Sequence, residues 1–172
     1  MKRIALIAVC LLIAAPALAQ SVGEKTGVNS TLGISPKTPD FVKEVAISDM
    51  FEIESSKLAA ERADAPTKTF ANQMVKDHTK TSTELKGLAV PNAPIPTALD
   101  SAHQSKLDKL KGLNGADFTK QYQDMQVSAH KDAVSLFERY GKGGDNDKLK
   151  AWANKTLPDL KHHLEMAQAL NK

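Results

Sequence analysis

From about residue 40 onward, apolar residues recur at steps of three and four, the period of a helix that buries one side. Ala71, Met74, His78, Thr81, Leu85 and Leu88 form one such seam, and Leu149, Ala153, Thr156, Leu160, Leu164 and Ala167 another. Phe118, Tyr122, Met125, Ala129, Ala133, Leu136 and Tyr140 form a third, flanked by a row of Val127, His130, Val134 and Phe137. On the earliest patterned stretch, Ala46, Met50 and Ile53 make one edge of an apolar arc and Ile47, Phe51 and Leu58 the other. β-Branched residues are scattered without alternation, so no strand is expected.

Stop and start signals divide the pattern into four long helices. Asp40 can cap the first, which runs to about Ala63, and Asp64-Ala65-Pro66 breaks the chain before a second helix to about Leu88. The third covers roughly Ala116 to Tyr140 and should stop at Gly141-Lys142-Gly143-Gly144. The fourth starts near Asp145 and reaches the C-terminus, with Pro158 expected to kink it. Between helices two and three lie a Pro-rich stretch, Val90 to Pro96, and a short helix, Leu99 to Leu113. A direct hairpin would not need so long a connection. It either travels the height of the bundle or lays its short helix across one end. The fold expected is an all-α antiparallel four-helix bundle with an extra short helix in the 2–3 connection.

The N-terminal segment follows another pattern. Lys2 and Arg3 precede an apolar run from Ile4 to Ala15, and Ala17-Leu18-Ala19 matches a cleavage site. The run is shorter than the roughly 20 residues a spanning helix needs. Residues 1–19 therefore read as a signal peptide, 20–39 as a flexible tether rich in Ser, Gly, Thr, Asn and Pro, and 40–172 as the bundle domain. Val28, Leu32 and Ile34 leave open that the tether packs along the bundle. Cys10 raises lipoprotein processing, but the apolar run continues past it, so the cut is placed at Ala19. The expected destination is the periplasm.

Loss of the leader removes the only cysteine, so neither a disulfide nor a thiolate is expected in the mature chain. It also removes Lys2 and Arg3 from the 23 basic residues, which then nearly match the 20 acidic ones. The signs are interspersed, and no basic patch or aromatic ladder suggests a nucleic-acid partner. No mature segment is apolar enough to span a membrane. Any partner would be another protein of the cell envelope.

Placed on helical wheels, each long helix puts one metal-ligand residue on its apolar side: Glu54, His78, His130 and His163. Glu52 points away and reads as solvated. Alone, each histidine is more simply a hydrogen-bonded core residue. Together they invite a shared divalent cation, because burying an acid and three imidazoles without a common partner is costly. Counted from their turn, Glu54 and His78 lie roughly 5 Å apart in height, whereas His130 and His163 differ by roughly 10 Å unless Pro158 shifts them. Asp159 matches His130 better. Asp77 and Asp159 can orient nearby imidazoles or simply be solvated rim charges. His103, on the side of Leu99, Leu107 and Leu110, is a further candidate or a docking residue.

The stretch FVKEVAISDMFEIESSKLAAERADAPTKTFANQMVKDHTKTSTELKGLA resembles a bacterial exported family of unknown function, often labelled membrane or outer-membrane proteins and placed in the ferritin-like superfamily. The similarity continues through LDSAHQSKLDKLKGLNGADFTKQY, VSAHKDAVSLFERY and TLPDLKHHLEMAQAL, covering about Asp40 to Leu170. The resemblance implies a ferritin-like bundle and an exported protein, without implying a reaction. Ferritin-like di-iron sites use Glu-x-x-His on two helices. Here Val75, Val127 and Leu160 stand three residues before His78, His130 and His163. Three imidazoles and one carboxylate suit a single Zn, Cu, Ni or Fe ion better than a di-iron pair.

Two functions follow. One is a periplasmic bundle holding a single transition-metal ion, as a store, sensor or redox enzyme. The other is a non-catalytic structural or interaction module of the envelope, whose buried polar residues specify packing without metal. A hydrolase is disfavoured, since the chain has no nucleophile elbow, phosphate loop or HExxH helix.

Overall fold

The computed structural model describes residue 23 and residues 27–172; the expected signal peptide, with Cys10, lies outside the described residues. Six helices and no strands occur among them: α1 Val28–Thr31, α2 Thr38–Arg62, α3 Ala65–Gly87, α4 Ser101–Lys111, α5 Gly115–Gly143 and α6 Asp147–Leu170. The four long ones form the all-α bundle expected. No described helix is long and apolar enough to cross a membrane.

Local chemistry sets most boundaries. The Asp64, Asp100 and Asn146 side chains accept from the backbone N–H groups of Thr67, His103 and Leu149, closing the first turns of α3, α4 and α6. Helix α2 differs from expectation: it starts at Thr38, with Pro39 in its first turn, so Asp40 lies inside it. Its first amide is satisfied from across the bundle, where Asp145 accepts from Thr38 N–H at 2.9 Å. Helix α5 continues through Gly141 instead of stopping there. A Cβ at Gly141 would collide with Asn154 of α6, whose amide donates to the Gly141 carbonyl at 3.0 Å. That glycine permits close helix approach rather than ending a helix.

The segment read as a tether is fastened to the bundle over part of its length. Arg139 donates to the Ile34 carbonyl at 2.6 Å, and the Ser30 and Ser135 hydroxyls lie 3.2 Å apart. Val28, Leu32 and Ile34 nevertheless stay exposed, and Pro36 is the apolar residue of the segment that is buried.

Helices α2 and α3 pack along their length as one hairpin, and α5 and α6 as a second. The hairpins join mainly through α2 and α5, whereas α3 and α6 touch sparingly. The end of α2 meets the beginning of α5, where Arg62 donates to the Lys111 carbonyl and lies over the Phe118 ring. Leu85, near the end of α3, instead joins Phe41, Tyr140 and Leu149 at the opposite end. The α3–α5 connection therefore climbs the whole bundle, carrying α4 along α2 and α5. Of the two routes the sequence left open, the structure takes the crossover.

Two apolar clusters occupy the ends. At one, Phe41 stacks on Tyr140 with ring centroids 3.9 Å apart and meets Phe137 and Trp152 edge-on. At the other, Phe70, Met74, Leu110, Phe118 and Tyr122 surround Ala59, Ala71 and Ala167. Between them every long helix turns polar on its buried side. Phe41→Ala should cost about 3–5 kcal/mol, read as a lower urea midpoint at unchanged slope, because Phe41 is fully buried and touches three other rings.

Candidate metal centre

The polar middle of the bundle holds Asp49 and Glu52 on α2, His78 on α3, Gln126 and His130 on α5, and His163 on α6, all buried. The three imidazoles make a nearly equilateral triangle. Ring centroids are 5.6 Å apart for His78–His130, 5.7 Å for His78–His163 and 5.5 Å for His130–His163. One nitrogen from each ring lies within 4.8 Å of the others.

Each ring is held from behind by a different acceptor. His78 Nδ1 donates to Asp49 Oδ1 at 2.8 Å, His130 Nδ1 to the Gln126 carbonyl at 2.9 Å, and His163 Nε2 to Asp77 Oδ2 at 3.0 Å. A neutral imidazole that donates through one nitrogen carries its lone pair on the other. Those others are His78 Nε2, His130 Nε2 and His163 Nδ1, and none has a hydrogen-bond partner among the described residues. Asp49 is itself fixed to α3 by the Thr81 and Ser82 hydroxyls, at 2.9 and 3.1 Å. The acceptors thus set both ring orientation and tautomer, as carboxylates behind metal-bound histidines do.

Electrostatics separates the rings. Burial opposes charge on His78, but the Asp49 bond, with Glu52 and Asp77 nearby, raises its pKa overall. Burial and the charge on His78 push His130 down to about 3. Burial and His78 also lower His163, against the pull of Asp77. Two of the three rings are therefore kept neutral near pH 7, the state in which imidazole binds a cation.

Of the residues singled out in the sequence, the structure brings His78, His130 and His163 together and leaves Glu54 outside. Glu54 is about half exposed and pairs with Lys57 at 2.9 Å. The carboxylate on the buried face is Glu52, 1% exposed. Apolar side chains misled the wheel: Val42, Val45, Asp49, Glu52, Ser56, Ala59 and Ala63 follow helical steps, but the middle of that seam is polar. The same effect hid Gln126, which occupies the centre of the α5 seam beside half-buried Met125. The signal available was the continuation of each three-four seam across polar positions.

The expected height mismatch of His130 and His163 is mostly absent. Helix α5 runs on to Gly143 and α6 starts only at Asp147, which brings the two rings level. Pro158 is accommodated within α6. Asp77 holds His163, whereas Asp159 is exposed at the mouth of a cavity of about 430 Å3 between α3 and α6, which His78 and His163 also line. His103 is not in the cluster: it donates to Asp100 at 2.8 Å and meets the Phe51 ring edge-on.

Fold and site together define a crossover helical bundle with a buried histidine triangle at mid-height. Residues 23–170 match the family model described as Domain of unknown function (DUF4142), and the chain belongs to that family. No curated protein matches the sequence. Among solved structures, CopM in the Cu(II)-bound form is similar in fold, with a TM-score of 0.66 and 12% identity over 80% of this chain and 97% of that one.

Glu52 generates a pH-dependent prediction. Burial raises its pKa from 4.5 to about 7, held back by His78 and the neighbouring Gln126 amide. Below 4.5 the carboxyl is protonated whether folded or unfolded, so it costs nothing; above 7 the folded state carries the full penalty of burying the charge. Without added metal, Glu52→Gln should therefore match the parent near pH 4 and exceed it at pH 8 by on the order of 2–3 kcal/mol, measured by urea denaturation.

Proposed function

We propose that this protein is an exported, periplasmic bundle that binds one transition-metal ion through His78, His130 and His163. The observation that carries the reading is the set of three buried ring nitrogens, each without a partner while its opposite nitrogen is occupied. Metal–imidazole bonds of about 2.0–2.1 Å need only small inward ring movements from this arrangement. Three imidazoles suit Cu, Zn, Ni or Fe. The Cu(II) bound by CopM, a protein of similar fold, makes copper the first ion to test. Asp49, Glu52 and Asp77 supply negative charge around the rings, which favours a cation where burial alone would repel it.

The packing-only alternative draws on a real feature, since Asp49 bonds three donors of α3 without any ion. It leaves three ring nitrogens unsatisfied, at about 1–3 kcal/mol each. A cation removes all three costs at once.

Titration of the purified protein with Cu(II), Zn(II) and Ni(II) against a competing chelator should give one tight site per chain. Saturation at about a thousand times Kd should stabilise the fold by about 4 kcal/mol. His130→Leu should weaken binding at least about 100-fold, and Glu54→Gln should leave it unchanged. Absence of stoichiometric binding by any of these ions, with His130→Leu neutral or stabilising, would establish the packing-only role instead.

A further inference from the structure

The three histidines leave a tetrahedral ion one ligand short. Among the described residues, seven buried side-chain nitrogen and oxygen atoms without a hydrogen-bond partner gather on five residues: the three histidines, Glu52 and Gln126. The last two contribute four of those atoms, Glu52 Oε1 and Oε2 with Gln126 Nε2 and Oε1. Glu52 is 1% exposed and Gln126 fully buried. They face each other across the α2–α5 contact, near enough for the Gln126 amide to draw the Glu52 pKa down yet short of full hydrogen-bond geometry, and Glu52 senses the charge of His78. Each sits one helical turn from a member of the cluster: Asp49, which holds the His78 ring, precedes Glu52 on α2, and His130 follows Gln126 on α5. So many unsatisfied polar atoms beside one another mark a place built for something polar.

We propose that Glu52 and Gln126 form the receptor for a fourth, exchangeable ligand of the ion, a single water molecule that small anions can replace. The proposal rests on the reading of the three histidines as ion ligands. Glu52 does not join the group of donors that lie within 4.8 Å of one another, so a direct bond shared with all three rings would require it to move. One bridging water removes that need. It can donate to a Glu52 oxygen and exchange a hydrogen bond with the Gln126 amide, giving it the two to four polar partners that buried water requires. The arrangement matches metal sites that keep three protein ligands and an open position, rather than closed structural sites with four. The Glu52 charge would also oppose replacement of that water by an anion, giving the position a selectivity of its own.

Azide titration of the Cu(II)-loaded protein, followed by its visible absorption, tests this. Cu(II) affinity is measured first on the parent and on His130→Leu; failure of the parent to bind Cu(II) overturns the metal reading and this proposal with it. Given binding, Glu52→Gln should hold Cu(II) within about tenfold of the parent while binding azide at least about tenfold more tightly. Gln126→Glu, which adds charge at the same place, should weaken azide by a similar factor and covers the case in which the first variant folds poorly. A Glu52→Gln protein that loses Cu(II) more than about 100-fold would show the carboxylate to be a direct ligand and overturn the proposal. Azide affinity equal in parent and both variants would overturn it as well.

Discussion

Three imidazoles buried side by side, each with an acceptor of its own, are the constraint around which this bundle is arranged. A histidine moved from water into a helical core must donate and accept, or it costs more than its packing returns. Asp49, Asp77 and the Gln126 carbonyl answer the donor half. Two of these contacts also cross between helices at mid-height: α2 reaches α3 through Asp49, and α3 reaches α6 through Asp77. The polar layer divides what would otherwise be one apolar core into two end clusters. Those clusters supply the burial that lets the middle remain polar.

Helix existence was plain from the chain because apolar seams recur over twenty or more residues and capping residues stand at the breaks. The histidines were legible too, since each lies on a face whose other members are apolar. Glu52, Asp49 and Gln126 were not. A seam located by its hydrophobic members is blind at the point where the core itself is polar, and it rotates toward whichever apolar residues remain. On α2 that rotation moved attention from Glu52 to Glu54, two residues and nearly a half-turn away. Gly141 misled for a different reason. Glycine ends helices when it supplies a left-handed turn, but here it serves the contact with Asn154, which a single chain pattern does not display. The crossover was undecidable because length alone does not state direction.

The fold shared with Cu(II)-bound CopM at 12% identity speaks of architecture. The chemistry is written in this chain's own residues. Where carboxylate-bridged bundles place Glu-x-x-His pairs, Val75, Val127 and Leu160 keep that position non-coordinating. What remains is a donor set of imidazole nitrogens, with its carboxylates placed behind the rings or beside them. Such a set favours a single borderline ion over a pair of hard ones.

The two hairpins resemble the boards of a book, hinged along α2 and α5 and parted at the fore-edge where α3 and α6 barely meet. One histidine belongs to the first board and two to the second, and the cavity reaching His78 and His163 opens at that fore-edge. An ion gripped by all three would act as a clasp, a cross-link between halves whose covalent connection is the long crossover alone and whose fore-edge contacts are few. Its removal would loosen the binding at that margin first and leave the hinge intact.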